Sequence, residues 1–162
     1  MGAICWPLVS NVIRRNSNSH TFGWVRKYAD GTPKPHQGWD FYAVPSTPCY
    51  AISDGKVVYA SDNGALGLML MVQFDHGGQS LYAGYAHLQQ ILVKMGDTVT
   101  MKQKVALTGN SGNASSMTGL DQHLHFEIRT MPFPGKGLAG RISPLQIFGK
   151  CPLLDPIMET MQ

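Results

Sequence analysis

The stretch DQHLHFEIRT, residues 121–130, alternates two kinds of side chain, with Leu124, Phe126 and Ile128 on one parity and His123, His125 and Glu127 on the other. Side chains of an extended strand project to opposite faces with period two, so this pattern predicts a strand with one apolar face that packs and one titratable face that can do chemistry. Alternate residues lie about 6.6 Å apart along a strand, so both imidazoles can reach one site, as two ligands or as one ligand and one orienting or catalytic group. Burying the pair in a core would leave each ring needing its own hydrogen-bond partners.

The rest of the chain is punctuated as a β protein. CYAISDGKVVYA reads as two strands joined by the Asp54–Gly55 turn, and LMLMVQFDHGGQSLYAGYAHL as a second hairpin turning at Gly77 and Gly78. Short strands are expected in ILVKMGDTVTMKQKVALTGNSG, and 18 glycines and 10 prolines leave little room for long helices. Only SPLQIFG suggests a helical turn. At 162 residues with 43% hydrophobic content the chain fits one domain with a real core, assigned here to residues 1–149, followed by a tail over 150–162.

Charge and cysteine content exclude some functions. The net charge of +3 comes without a basic run or an aromatic-interleaved basic patch, so no nucleic-acid partner is expected. Cys5, Cys49 and Cys151 are odd in number and lack CxxC spacing, so they predict no zinc knuckle; a Cys5–Cys151 bridge could tie the termini, and idle thiols serve as well. No apolar run reaches membrane-spanning length, so no membrane insertion is expected, and MGAICWPLV lacks the basic and long apolar regions of a secretory leader.

Three residues separate His36 and Asp40 in KPHQGWDFYA. In a straight strand their α-carbons would stand about 13 Å apart, too far to share one metal, so chelation requires a bend, and Gly38 is where a bend is cheap. His87, at the end of a strand carrying Tyr82 and Tyr85, reads by itself as an ordinary strand-end histidine, and His20 and His76 fall in turn-like settings.

WPL at 6–8, TFGWVR at 21–26, HQGWDF at 36–41, YAISDGKVVYA at 50–60, YAHL at 85–88, VKMGDTVTMKQKVALTGNSG at 93–112 and HLHFEIR at 123–129 follow one another as in the lysostaphin/LytM-type zinc metallopeptidases, which the chain resembles over about residues 6–148. The resemblance implies a mostly β fold, a small antiparallel sheet or sandwich with an active-site groove bordered by loops. It matches His36, Asp40 and His125 to the ligands of one Zn2+ per chain, with water completing the set, and His87 and His123 to two catalytic histidines that do not bind metal. Glu127 reads as a group orienting a ligand or as a surface salt bridge. Leu68 departs from the family, which often has asparagine there, and SGNASSMTGLDQ is longer than a minimal family loop.

Three protein ligands and an open position are the mark of catalytic zinc, and without an HExxH helix an imidazole of intrinsic pKa about 6.5 must serve as base. The expected function is a zinc-dependent endopeptidase acting on peptidoglycan cross-links or stem peptides, in the periplasm or at the cell wall. A non-catalytic wall-binding or activator module on the same fold is the alternative, disfavoured because all five site positions are filled. The segment VKMGDTVTMKQKVALTGN also resembles half of a biotinyl or lipoyl carrier, but Lys102 and Lys104 do not sit at the tip such carriers need. Without a visible leader, either the sequence is a piece of a longer protein or delivery is by a non-classical route, as an antibacterial toxin effector or a phage lysin, and an effector implies an immunity protein as partner.

Overall fold

In the computed structural model residues 4–161 are described; residues 1–3, part of the stretch read for a leader, and residue 162 lie outside them. The strands in chain order are β1 (Ser10–Asn11), β2 (Gly23–Lys27), β3 (Pro33–His36), β4 (Trp39–Tyr42), β5 (Pro48–Tyr50) and β6 (Gly55–Asp62). There follow β7 (Leu68–His76), β8 (Gln79–Ile91), β9 (Thr98–Val99), β10 (Lys104–Thr108), β11 (His123–Arg129), β12 (Arg141–Ile142) and β13 (Ile157–Met158). The expected helical turn is α1 (Leu145–Phe148), and no described helix is long and apolar enough to cross a membrane.

The main sheet runs β12-β11-β8-β7-β6-β9, with β4 added to β11 and with β10 pairing both β8 and β5. Every pairing registered in it is antiparallel. The chain is thus mostly β, as expected. β7 and β8 form the second hairpin with His76 opposite Gln79. Gly77 and Gly78, at φ 59° and 76°, supply the two left-handed residues that a two-residue turn of this hand needs. The first expected hairpin does not form, because β5 pairs β10 while β6 pairs β7 and β9. Asp54–Gly55 makes a turn, but the strands leaving it find partners far along the chain.

β11 is the spine of the molecule. Leu124, Phe126 and Ile128 are wholly buried beside Trp39 and Phe41 of β4 and Tyr85 of β8, and each such side chain contributes about 1.5–3 kcal/mol over leaving it exposed. Trp6 stacks on Phe148 at 4.2 Å between ring centroids, which seats α1 on this core. The opposite face of β11 is also buried, with its polar side chains paired rather than solvated.

Residues 150–161 do not hang free. β13 pairs β1, the Glu159 carboxylate accepts from the Trp6 amide at 3.1 Å, and the buried Asn11 amide donates to the carbonyls of Leu8 and Ile157. This pairing, rather than a Cys5–Cys151 bridge, joins the two ends, and all three cysteines are free thiols.

The bend between His36 and Asp40 is the break from β3 to β4 at Gln37 and Gly38. A β-carbon on Gly38 would run into the carbonyl oxygen of Phe126, so glycine is required for close approach to β11 rather than for an unusual φ. Gly38→Ala should therefore destabilise toward the upper end of the about 1–3 kcal/mol typical of overpacking, roughly 6–12 °C in Tm, as thermal unfolding would record. An unchanged Tm would mean that the bend tolerates a side chain.

Candidate active site

Strand pairing brings the sequence-distant candidates together. β4 and β11 set Asp40 directly opposite His125, and the bend returns His36 to the same place. Asp40 Oδ1 lies 3.2 Å from His36 Nε2 and 2.8 Å from His125 Nδ1, and one donor atom from each of the three residues falls within 4.8 Å of the others. All three are buried at the floor of a groove of about 1000 Å³.

His123 and His87 stand beside this trio. His123 Nε2 is 3.7 Å from Asp40 Oδ1, and the His87 ring lies 5.1 Å from that of His123 and 6.1 Å from that of His125. His87 reaches the groove through a break in the alternation of β8. Tyr85 faces the core, so regular period two would send His87 there too, but His87 adopts φ 58° between Tyr85 and Leu88, where the register of β8 shifts against β7. This bulge turns the imidazole outward, and a left-handed non-glycine residue costs about 1–3 kcal/mol that the neighbouring structure must offset.

Each imidazole has one ring nitrogen fixed by an acceptor. His36 Nδ1 donates to the Thr21 carbonyl at 2.8 Å, His87 Nδ1 to the Ser111 carbonyl at 2.8 Å and His123 Nδ1 to the Asp121 carbonyl at 2.9 Å, which leaves Nε2 of each for the site. His125 is reversed: Nε2 donates to Glu127 Oε2 at 2.8 Å and Nδ1 faces Asp40. Glu127 is wholly buried, and its other oxygen accepts from Arg129 and Arg141 at 2.8 and 2.6 Å. The reading of Glu127 as a surface salt bridge is therefore corrected; its carboxylate orients His125 from beneath.

Burial lowers the pKa of His36, against a partial rise from Asp40, so at neutral pH its Nε2 is a lone pair aimed at a carboxylate oxygen. Burial would raise Asp40, but hydrogen bonds from its imidazole neighbours, that of His125 first, outweigh it and hold the carboxyl well below the usual range. Three electron-pair donors of hard and borderline type converging on one point fit a divalent cation such as zinc, and the paired outer nitrogens fix the tautomers that ligation requires.

His125 is depressed by burial, yet the Asp40 and Glu127 hydrogen bonds raise it to about 9. Without metal it is cationic at pH 7, and a cation bound through Nδ1 must displace that proton. Zinc uptake at pH 7 should release about one proton from His125 and weaken about tenfold per pH unit as pH falls below about 9, with His36 joining only in acid. Calorimetry in buffers of different ionisation enthalpy measures the release; a buffer-independent heat would contradict it. His87 behaves oppositely: burial first, then the positive charge on His125 and His123, pushes it down to about 4, and burial likewise lowers His123.

Three further groups reach the site, none of them read from the sequence as belonging to it. Asp40 Oδ2 lies 3.2 Å from Arg14 Nη1, 3.1 Å from Arg26 Nη2 and 3.5 Å from His20 Nδ1. The turn-like reading of His20 was incomplete, since its ring reaches the carboxylate. No periodic pattern marks these residues; only TFGWVR, quoted for the resemblance, touched one of them.

Residues 34–137 match the model of Peptidase family M23. The chain belongs to this family. The M23 match contains His36, Asp40, His87, His123, His125 and Glu127, whereas Arg14, His20 and Arg26 precede it. Over 94 residues the chain is 37% identical to the peptidoglycan DD-endopeptidase ShyA of Vibrio cholerae, an alignment covering 58% of this chain and 20% of ShyA. Among solved structures, a zinc-containing peptidase from Vibrio cholerae superposes with TM-score 0.65 at 31% identity, covering 79% of this chain and 36% of that one. The catalytic domain of lysostaphin from Staphylococcus simulans superposes with TM-score 0.63 at 26% identity, covering 80% and 90%. This M23 chain spans about a fifth of the length of curated relatives such as ShyA.

Proposed function

We propose that this M23 chain is a zinc-dependent endopeptidase that hydrolyses peptide bonds in peptidoglycan, with His36, Asp40 and His125 holding one zinc and His87 and His123 handling protons. The observation that carries the proposal is the convergence of those three ligand atoms within 4.8 Å, with two further histidines oriented beside them. A non-catalytic wall-binding module would need neither. The names of ShyA and lysostaphin, as an endopeptidase and an antimicrobial peptidase, support the reaction class.

Bound to that trio, zinc supplies Lewis acidity, polarising a carbonyl oxygen and acidifying water. The remaining work falls to the protein. His87 and His123 present Nε2 to the groove, and their lowered pKa values keep both rings neutral near pH 7, able to accept a proton. One takes the proton of the attacking water at Nε2 and delivers it to the leaving amine nitrogen. The peptide C–N bond breaks, the water oxygen stays on the carbonyl carbon, and the imidazole ends as it began.

Among the described residues lining the groove Asp40 is the sole carboxylate, whereas Lys34 and Lys136 stand at its rim. That balance favours a peptide bearing carboxylates, as D-alanyl-diaminopimelate cross-links do, over a neutral glycine bridge. Action lies in the periplasm or at the wall, reached as an antibacterial effector or a phage lysin; protein directed to the periplasm should lyse the cell while cytoplasmic protein should not.

Purified protein should release peptides from diaminopimelate-type sacculi, lose this activity to a chelator and regain it with added zinc. Mass spectrometry of the digest names the bond cut. Active protein containing no zinc would refute the proposal, and faster cleavage of glycine bridges would refute the preference for carboxylates.

A further inference from the structure

The two oxygens of Asp40 face different company. Oδ1 looks toward His36 Nε2 and His125 Nδ1, at 3.2 and 2.8 Å, while Oδ2 meets two guanidinium groups, Arg14 Nη1 at 3.2 Å and Arg26 Nη2 at 3.1 Å. Both arginines are themselves held. Arg26 Nε donates to the Ser19 carbonyl at 2.6 Å, and its Nη2 lies 2.9 Å from His20 Nδ1. Arg14, buried at the edge of the groove, has Nε 3.5 Å from Asp121 Oδ1, and its neighbour Arg15 binds the same carboxylate with contacts of 2.6 and 3.1 Å. Arg15 and Asn16 adopt φ 55° and 51°, so a turn of two successive left-handed residues presents Arg14 to the site. Both arginines come from a segment that precedes the M23 match at residue 34.

We infer that Arg14 and Arg26 are positioning residues for Asp40, reserving Oδ2 so that the carboxylate offers a metal only Oδ1, and drawing on its charge so that it donates less. The inference rests on the ligand set proposed above. A guanidinium that donates to a carboxylate competes with any cation for the same negative charge. With two of them on Oδ2, a metal on Oδ1 meets a weaker donor and keeps more of its positive charge for a substrate carbonyl, at some loss of affinity. Two-oxygen ligation, which would raise the coordination number and crowd the open position, is blocked by the same contacts.

The arrangement has a signature that structural damage lacks: affinity for metal and rate of hydrolysis should move in opposite directions. In full-length Arg14→Met and Arg26→Met, Asp40 gains donor strength, so zinc should bind about 3- to 10-fold tighter while kcat falls about tenfold or more and KM stays within about twofold. Arg14→Lys and Arg26→Lys, which keep the charge, should return both quantities toward the parent values. Cobalt titration reads the geometry directly, because the visible absorption of a four-coordinate Co2+ site weakens if Asp40 adds its second oxygen. Arg26, the more exposed of the two, keeps the test open should an Arg14 variant fail to fold.

Zinc affinity that falls together with the rate, or affinity and rate both unchanged, would overturn the inference. A rise in KM with kcat and zinc affinity unaltered would make these arginines anchors for a substrate carboxylate and overturn it equally. If the parent protein binds no zinc at all, the ligand assignment fails first. Normal zinc binding by the parent with wrongly behaving variants sinks only the role given to Arg14 and Arg26.

Discussion

His125→Ala should abolish zinc binding and wall hydrolysis together, the largest effect expected of any single substitution in this chain. The residue supplies one of three converging atoms that could hold a metal, and it is also the one whose direction is fixed from beneath by Glu127. Thermal unfolding with and without metal gives the cleanest measure. A parent protein with free zinc at 100 times its Kd gains about 2.7 kcal/mol, or roughly 5–11 °C for a chain of this size, and the variant should gain nothing.

The metal-free variant should also be less stable than the metal-free parent, but only modestly. Loss of the imidazole removes one hydrogen-bond donor from Asp40 Oδ1 and one from Glu127 Oε2, each worth about 1–3 kcal/mol if left wholly unpaired. Neither carboxylate is abandoned, because Arg14 and Arg26 remain on Asp40 and Arg129 and Arg141 on Glu127. The cost should therefore fall at the low end of that range. A variant that still binds zinc with parent-like affinity would remove His125 from the ligand set.

What the sequence made legible follows from the range over which each signal acts. The polar and apolar faces of β11 could be read because alternation within one strand is a local property, and the β7–β8 hairpin because Gly77 and Gly78 lie between its strands. The link from Asp54–Gly55 to a hairpin failed for the converse reason: turn chemistry says that the chain reverses, not which strand it then joins, and β5 and β6 pair elsewhere. β13 escaped notice because two residues carry no period, and its partner β1 lies near the other end of the chain. The same holds at the site. Arg14, His20 and Arg26 reach Asp40 from a segment without regular alternation, and the bulge that turns His87 into the groove depends on the register of β8 against β7. Family resemblance named His87 as catalytic; a strand pattern alone would have sent it into the core.

His123→Ala and His87→Ala should behave unlike His125→Ala. Neither ring belongs to the set of atoms within 4.8 Å, and both direct Nε2 into the groove while a backbone carbonyl holds Nδ1. Their removal should leave zinc stoichiometry intact and reduce hydrolysis on the order of 10²-fold or more, the scale of a lost acid or base. The two should differ in stability. His123 is packed beside Arg14 and Asp40, so its loss opens a buried polar pocket, whereas alanine at 87 still has to adopt the left-handed backbone while giving up the hydrogen bond to Ser111. His87→Gly is the informative control, because it relieves the backbone without restoring the imidazole: it should be at least as stable as His87→Ala and just as slow. Recovery of activity in His87→Gly would mean that position 87 serves the fold and that His123 alone moves the proton, and loss of zinc from either alanine variant would return that histidine to the ligands.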